Sequence, residues 1–457
     1  MPKMGNIGIA NASAFGYTTS IGKGFFIAAI GNTAGPGWRP TNIKVDSSGY
    51  IYVSAYDDTG STKSSYVVKI SPTGNFIYSK KLSATSINVQ MYSMDLDSSG
   101  NIYVAGVYTA TSGGYYKLDN SSTTILASSA ISLTGPLARC VAVDDSGNIY
   151  VSGNYTAGTS PTSRTFFVKY NSSGSMIAQR GLVAPLTTYG NAVPQNCIID
   201  KTTGTLYTVV AQTNNNNQTY YIQTKFDSSL TTFNYFGQVF LSSTNSGYGG
   251  RVGGIDYDSA GNVYMVGSTT TTSTSFISAW VAKYNSSMST QTWQYIYRGT
   301  TGYTAIEFNQ VRIDRTTNDV YVMGQNLTAV GNKVGYLTKY TSAGVMQWER
   351  YFYCPNTGTN AIWDMAFDGN AFILIAQSTI TGLPMIVARL PKDGSKTGTY
   401  TVAGASVVYE VNSILSTTRT MSSQSYNSQA ITSTATAVTS PTIGDASPTI
   451  SSSTVIT

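Results

Sequence analysis

The chain has 457 residues and not one histidine. That removes the commonest general base, imidazole metal ligation, and the Ser-His-Asp and Cys-His arrangements of nucleophilic catalysis. Carboxylates number 21, only three of them glutamate. A glycosidase needs two carboxylates facing each other across a cleft. The acidic residues to weigh for that role are Asp57, Asp58, Asp95, Asp119, Asp145, Asp227, Asp256 and Asp364. Asp95 and Asp256 each precede another aspartate by two residues and read as strand-edge groups near one face of the fold. The doublet Asp144–Asp145 in "VAVDDSGNIYVSG" raises a calcium loop as its sharpest reading. Phosphate loops, dinucleotide fingerprints and zinc motifs are absent. Cys140, Cys197 and Cys354 are odd in number and far apart, so they read as buried small hydrophobes rather than a disulfide framework.

The elements around these residues repeat. Aligned on aspartate, the chain reads "NIKVDSSGYIYVSA", "SMDLDSSGNIYVAG", "VAVDDSGNIYVSG", "CIIDKTTGTLYTVV", "GIDYDSAGNVYMVG", "VRIDRTTNDVYVMG" and "MAFDGNAFILIA". The anchors Asp46, Asp97, Asp144, Asp200, Asp258, Asp314 and Asp368 recur every 47 to 58 residues. A period in that range marks a solenoid, propeller or array. A second signature follows each anchor 20 to 25 residues on and carries one cation: Lys69, Lys117, Lys169, Lys225, Lys283, Lys339 or Arg389. One copy thus reads strand, tight turn, strand, loop, strand, turn, strand. The second strand, as in "IYVAG", is apolar at nearly every position, as expected where both faces are covered. The third-strand cation is expected to cover a neighbour with its stem and reach water with its head.

Turn chemistry accounts for the repeated aspartate. At the first turn position its carboxylate accepts the backbone N–H two residues on, and glycine three residues later takes a positive φ. Asp200 and Asp314 open turns one residue longer, with Asn318 where a glycine would stand; Asp368 opens a two-residue hairpin. A residue needed seven times over, through changes of turn length, is an anchor and not a catalyst. No metal or cofactor is expected.

These units resemble the bacterial seven-bladed β-propeller repeat family, whose pattern runs "VDssGNvYVtG" and then "aFVvKlnpsG", over roughly residues 40 to 400. The resemblance implies a fold without an activity, since propellers host enzymes, lectins and docking platforms alike. The expected fold is therefore all-β: a seven-bladed propeller of four-stranded antiparallel blades with a Ser/Thr-rich C-terminal extension. Residues 1–31 are expected to hold an N-terminal segment whose "GKGFFIAAIG", 22–31, supplies the outer strand of blade seven; "TYTVAGA", 399–405, is its competitor. The propeller is placed at 32–400, and 401–457 reads as a tail for attachment or oligomerisation.

Net charge is +6, from 27 basic and 21 acidic residues, with no basic stripe, so a nucleic-acid partner is not expected. No run of 18 apolar residues exists, so membrane insertion is not expected. The opening "MPKMGNIGIANASAFG" lacks a signal-peptide pattern, so the protein is expected either to stay inside the cell that makes it or to leave by a route without a cleaved signal, such as lysis. The candidate binding residues are Asn214, Asn215, Asn216, Asn217 and Tyr220 in "AQTNNNNQTYY", with Trp38. Such side chains stack on sugars and bond hydroxyls at low charge. Low charge, a rigid repeat and a hydroxyl-rich tail are similar in style to phage virion proteins. The expected function is a non-enzymatic structural protein of a virus particle: a tail-fibre, appendage or decoration component assembled in the host cytoplasm. Its expected partners are other virion proteins, host-surface polysaccharide and further copies of itself. A bacterial extracellular lectin or adhesin is the second reading, and a polysaccharide-acting enzyme the third.

Overall fold

The computed structural model describes residues 13–14, 25–30, 38–57, 63–82, 88–109, 112–120, 125–131, 133–156, 163–182, 189–214, 219–231, 233–238, 251–270, 277–297, 303–328, 333–355, 360–380, 383–402, 405–411 and 443–444. All regular structure among them is β-strand, and no helix is long and apolar enough to cross a membrane. The chain divides into two compact units, residues 1–91 with 298–420 and residues 92–297 with 421–457.

Each copy folds as a four-stranded antiparallel meander. In copy one, Trp38–Val45, Ile51–Asp57, Ser64–Ile70 and Phe76–Leu82 pair in chain order. Copies two to six repeat this order from first strands Gln90–Leu96, Leu137–Val143, Tyr189–Ile199, Arg251–Tyr257 and Tyr303–Asp314. In copy seven, Asn360–Asp368, Ala371–Ile380 and Leu383–Pro391 are joined by Phe26–Ile30 as the fourth strand. This is the all-β, β-propeller class of architecture that the repeats predict.

In the first unit, the strand Phe26–Ile30 is apolar throughout and buried throughout. Phe26, Ala28 and Ile30 pack with Ile373, Ile375 and Val387 of copy seven and with Ile51, Val53 and Val68 of copy one. The other side of copy seven meets copy six, where Leu374, Ile386 and Leu390 pack against Tyr321, Met323 and Leu337. Fully burying an aliphatic side chain of this size contributes about 1.5–3 kcal/mol. The segment around "TYTVAGA" goes elsewhere. Gly398–Val402 and Ala405–Val411 form a hairpin whose second strand pairs with Met346–Tyr353, the fourth strand of copy six. Val402, Val407 and Tyr409 are buried there, so core-forming residues extend past residue 400.

In the second unit the same sandwiching recurs. Copies two and three meet through Tyr103, Tyr115, Val141 and Val168, copies three and four through Phe167, Val210 and Phe226, and copies four and five through Tyr207, Met265 and Trp280. A covalent link adds to the packing: Cys140 of copy three and Cys197 of copy four form a disulfide between two first strands. This corrects the reading of these two residues as mere buried hydrophobes. Cys354, in the first unit, is the buried free thiol.

Candidate functional site

The seven anchor aspartates are consumed by the fold. Asp46 Oδ1 accepts the N–H groups of Ser48 and Tyr50 at 2.9 Å each, and Oδ2 accepts the hydroxyl of Tyr52 at 3.1 Å. Asp97 with Tyr103, Asp144 with Tyr150 and Asp258 with Tyr264 repeat the arrangement. Glycine φ values of +77° to +84° follow at Gly49, Gly100, Gly147 and Gly261, and Asn318 takes +59° in the longer turn of copy six. Asp145, next to the anchor of copy three, gives its N–H to Lys201 O at 2.8 Å and belongs to the same turn framework.

The third-strand cations sit on these groups rather than in water. Lys117, Lys169, Lys225, Lys283 and Lys339 lie 5.1 to 5.4 Å above the rings of Tyr103, Tyr150, Tyr207, Tyr264 and Tyr321. In copy seven, where Ile373 stands opposite the cation in place of the tyrosine, Arg389 bonds Asp368 directly at 2.5 Å and is 2% exposed. The head, expected in water, is thus shared between an aromatic face and partial exposure at these lysines, and is buried at Arg389. Attraction to an aromatic face and a nearby carboxylate outweighs partial loss of hydration. Some heads also tie one copy to the next: Lys169 Nζ donates to Ser228 O at 2.7 Å and Lys225 Nζ to Ser286 O at 3.3 Å.

Burial pushes the tyrosine hydroxyls up from their ordinary pKa, reinforced by the adjacent aspartates. For Asp258 burial works the other way, yet bonds from Asn262 and Tyr264 and the charge of Lys283 hold it below the usual carboxylate range.

The inner acidic residues are likewise bonded inside the fold. Asp364 is fully buried; its Oδ1 takes Arg312 at 2.7 Å and Met365 N at 2.8 Å, and its Oδ2 takes Ile43 N and the Asn42 amide at 3.2 Å each. One carboxylate thereby joins the first strands of copies six, seven and one. Asp95, 4% exposed, accepts Val143 N at 3.0 Å, and Asp256, 1% exposed, accepts Tyr257 N at 2.8 Å. Their place is the buried interior of the first strands, not the strand edge. No group of three or more acidic or cysteine residues is placed to hold a metal among the described residues.

The feature that repeats without repeating its chemistry is a β-bulge. Register shifts fall in the first strands between Pro40 and Asn42, Ala138 and Cys140, Pro194 and Asn196, Val252 and Ile255, Phe308 and Gln310, and Ile362 and Asp364. The inserted residue lies five before the anchor in five copies, Thr41, Arg139, Gln195, Asn309 and Trp363, and in copy five the shift spans Gly253 and Gly254. Tyr92 holds the equivalent position of copy two. A bulge leaves one residue unpaired and re-aims its side chain. The partner strand shows why the backbone fits. Gly153 faces Ala138, and a Cβ there would stand 2.1 Å from Leu137 O; at Gly324 it would stand 1.9 Å from Glu307 O.

In the second unit, the bulge residue Arg139 meets Tyr92, and Gln195 occupies the bulge of the next copy. The Arg139 guanidinium lies 4.8 Å from the centre of the Tyr92 ring, and its Nε donates to Asn154 Oδ1 at 3.4 Å. Asn154 is 8% exposed and donates in turn to Ser163 Oγ at 3.2 Å, which fixes the direction of its carbonyl. Gln195 is exposed, and its amide nitrogen donates to Val193 O at 3.2 Å. The disulfide lies beside both residues, since Cys140 follows Arg139 directly and Cys197 follows Gln195 by two.

In the first unit, Thr41 Oγ1 pairs with Ser54 Oγ at 2.7 Å. Asn309 donates to Ile362 O at 3.0 Å, and Trp363 Nε1 donates to Gln377 at 3.2 Å.

Of the residues expected from sequence, Asn214 and Tyr220 lie at facing strand ends of copy four and Trp38 opens the first strand of copy one. The side chains of all three, and Asn215, Asn216 and Asn217 entirely, lie outside the described residues. The bulge row was not anticipated. Its signal in the sequence is the small residue closing the second strand, as in "YVSG", "YMVG" and "YVMG".

Fold and site together define an all-β repeat protein of the propeller class, with a constant frame and chemically varied bulge residues. No family model and no curated protein matches the sequence. Among solved structures, the chain is similar to a polysaccharide lyase at 9% identity and a TM-score of 0.50, covering 79% of this chain and 91% of that one. A second likeness is to the β-propeller domain of the trilobed protease from Pyrococcus furiosus, described as having an open velcro topology. It has 10% identity and a TM-score of 0.41, covering 78% of this chain and 94% of that one.

Proposed function

We propose that the chain is a non-enzymatic saccharide-binding protein worn on a phage particle, as a tail-fibre, appendage or decoration component, with its bulge residues engaging host-surface glycans. The observation that carries this reading is the bulge row itself. Hydroxyl, phenol, guanidinium, amide and indole side chains occupy one equivalent position on a frame otherwise held constant. Donors, acceptors and flat rings of this kind suit hydroxyl-rich ligands. The Cys140–Cys197 disulfide supports work in an oxidising setting outside the cell. The segment following Val411 is the part we assign to docking on the particle, and self-association belongs to the same proposal.

The test has two arms. The full chain is screened on bacterial-surface polysaccharides while polymer length and unsaturated products are followed, because one fold neighbour is a polysaccharide lyase. Binding with unchanged polymer length is expected; depolymerisation overturns the non-enzymatic reading. Purified particles are then analysed by mass spectrometry. Stoichiometric presence of the chain is expected, and its absence from particles leaves the extracellular lectin.

A further inference from the structure

We propose that Tyr92, Arg139 and Gln195 form a subsite for an acidic sugar, a carboxylate-bearing residue within a polysaccharide. This rests on the saccharide-binding reading above and narrows it to a charge class and three side chains.

Arg139 carries the argument. Two other strand arginines, Arg312 and Arg389, end on the carboxylates of Asp364 and Asp368. Arg139 ends on none. Its Nε donates to Asn154, and its guanidinium lies over the Tyr92 ring. Both terminal nitrogens remain without a protein acceptor among the described residues. A guanidinium held by its Nε and one face presents its outer N–H pair as a planar fork, which matches the two oxygens of a carboxylate. The Asn154–Ser163 bond keeps that fork from turning.

Gln195 supplies the neutral partner. Its amide nitrogen is committed to Val193 O, so its carbonyl oxygen faces solvent as an acceptor for a sugar hydroxyl. The disulfide sets the spacing of the two strands, with the Cα atoms of Cys140 and Cys197 6.0 Å apart beside the two bulges. Such a site is organised before its ligand arrives, which reduces the ordering cost of binding. The net charge of +6 favours approach of a polyanion.

The experiment is calorimetric titration of the full chain with oligogalacturonate and with dextran of matched length, at two salt concentrations. Oligogalacturonate is expected to bind and dextran to bind at least about tenfold more weakly. Arg139→Lys keeps the charge and loses the fork, so about a tenfold loss is expected for it, with Arg139→Gln losing at least as much. Gln195→Ala is expected to weaken both saccharides by a few-fold. Unchanged melting temperatures show that the variants fold. If Arg139→Gln binds oligogalacturonate as the parent does, or dextran binds equally well, the subsite is overturned while saccharide binding stands. If neither saccharide binds the parent, the saccharide reading falls and takes the subsite with it.

Discussion

Lys283 and Tyr264 converge on one carboxylate: the ammonium lies 3.4 Å from Asp258 Oδ2, and the phenol donates to the same oxygen at 2.9 Å. The ammonium also sits over the phenol ring, 5.1 Å from its centre. All three groups are buried or nearly so, with the side chains of Lys283 and Asp258 13% and 3% exposed. Removing the carboxylate therefore strands a charge and several donors. Asp258→Ala is expected to cost about 3 kcal/mol or more in urea unfolding, and Tyr264→Phe about 1–2 kcal/mol. The double variant is expected to lose less than the sum. Strict additivity would show that the groups do not act as one unit.

The buried phenols set an alkaline limit. Tyr52, Tyr103, Tyr150 and Tyr264 have folded pKa values raised above the ordinary 10.0, through burial first and the adjacent aspartates second. A raised folded value means the fold binds the proton more tightly than the unfolded chain does. The stabilisation is then complete below about pH 10 and is lost as pH climbs above it. Melting temperature is expected to hold from pH 8 to about 9.5 and to fall steeply beyond, with tyrosinate absorbance appearing together with unfolding. Ionisation of these phenols at the ordinary value in the intact fold would refute the assignment.

The disulfide closes a loop with a sequence separation of 57. A cross-link of that span restricts the unfolded chain by about 3–4 kcal/mol on the chain-entropy account. Peptide mapping without reductant is expected to recover Cys140 joined to Cys197, and Cys354 as a thiol. The Cys140→Ser, Cys197→Ser double variant is expected to unfold at a clearly lower urea concentration. An unchanged midpoint would mean that packing alone holds copies three and four together.

Bulge residues and the glycines behind them are expected to respond in opposite ways. Gly324→Ala places a methyl within 1.9 Å of Glu307 O, in backbone that cannot step aside, and should cost about 2–4 kcal/mol. Gln195→Ala removes an exposed amide and is expected to stay within about 0.5 kcal/mol of the parent. Thermal unfolding of the two single variants decides this, and a Gln195 variant as damaged as the Gly324 variant would contradict it.

Much of the fold was legible because the local signals agree. Asp46, Gly49 and the apolar "IYVSA" each specify part of one hairpin, and seven echoes of that hairpin specify the class. The disulfide was not legible from cysteine number, since three residues 57 and 157 apart name no partner. It becomes legible on the aligned repeats: Cys140 stands four residues before its anchor and Cys197 three before its own, in the first strands of successive copies. The site was harder still. In the sequence Asn214 to Asn217, Tyr220 and Trp38 stand out because polar and aromatic residues cluster there. The bulge residues are scattered singly through apolar strands, and only the ladder register reveals what they share. Lys69 and its counterparts read as snorkelling cations because sequence shows the stem but not the tyrosine beneath the head.

A residue inserted at a bulge takes no part in the regular hydrogen-bond ladder, whatever its side chain touches. The ladder thus makes no demand on the side-chain type at Thr41, Arg139, Gln195, Asn309 and Trp363, whereas the anchor aspartates and turn glycines around them are fixed by the backbone. Inheritance can treat the two sets separately: one lineage of scaffolds, many vocabularies of recognition. Sequencing related chains should find divergence concentrated five residues before each anchor.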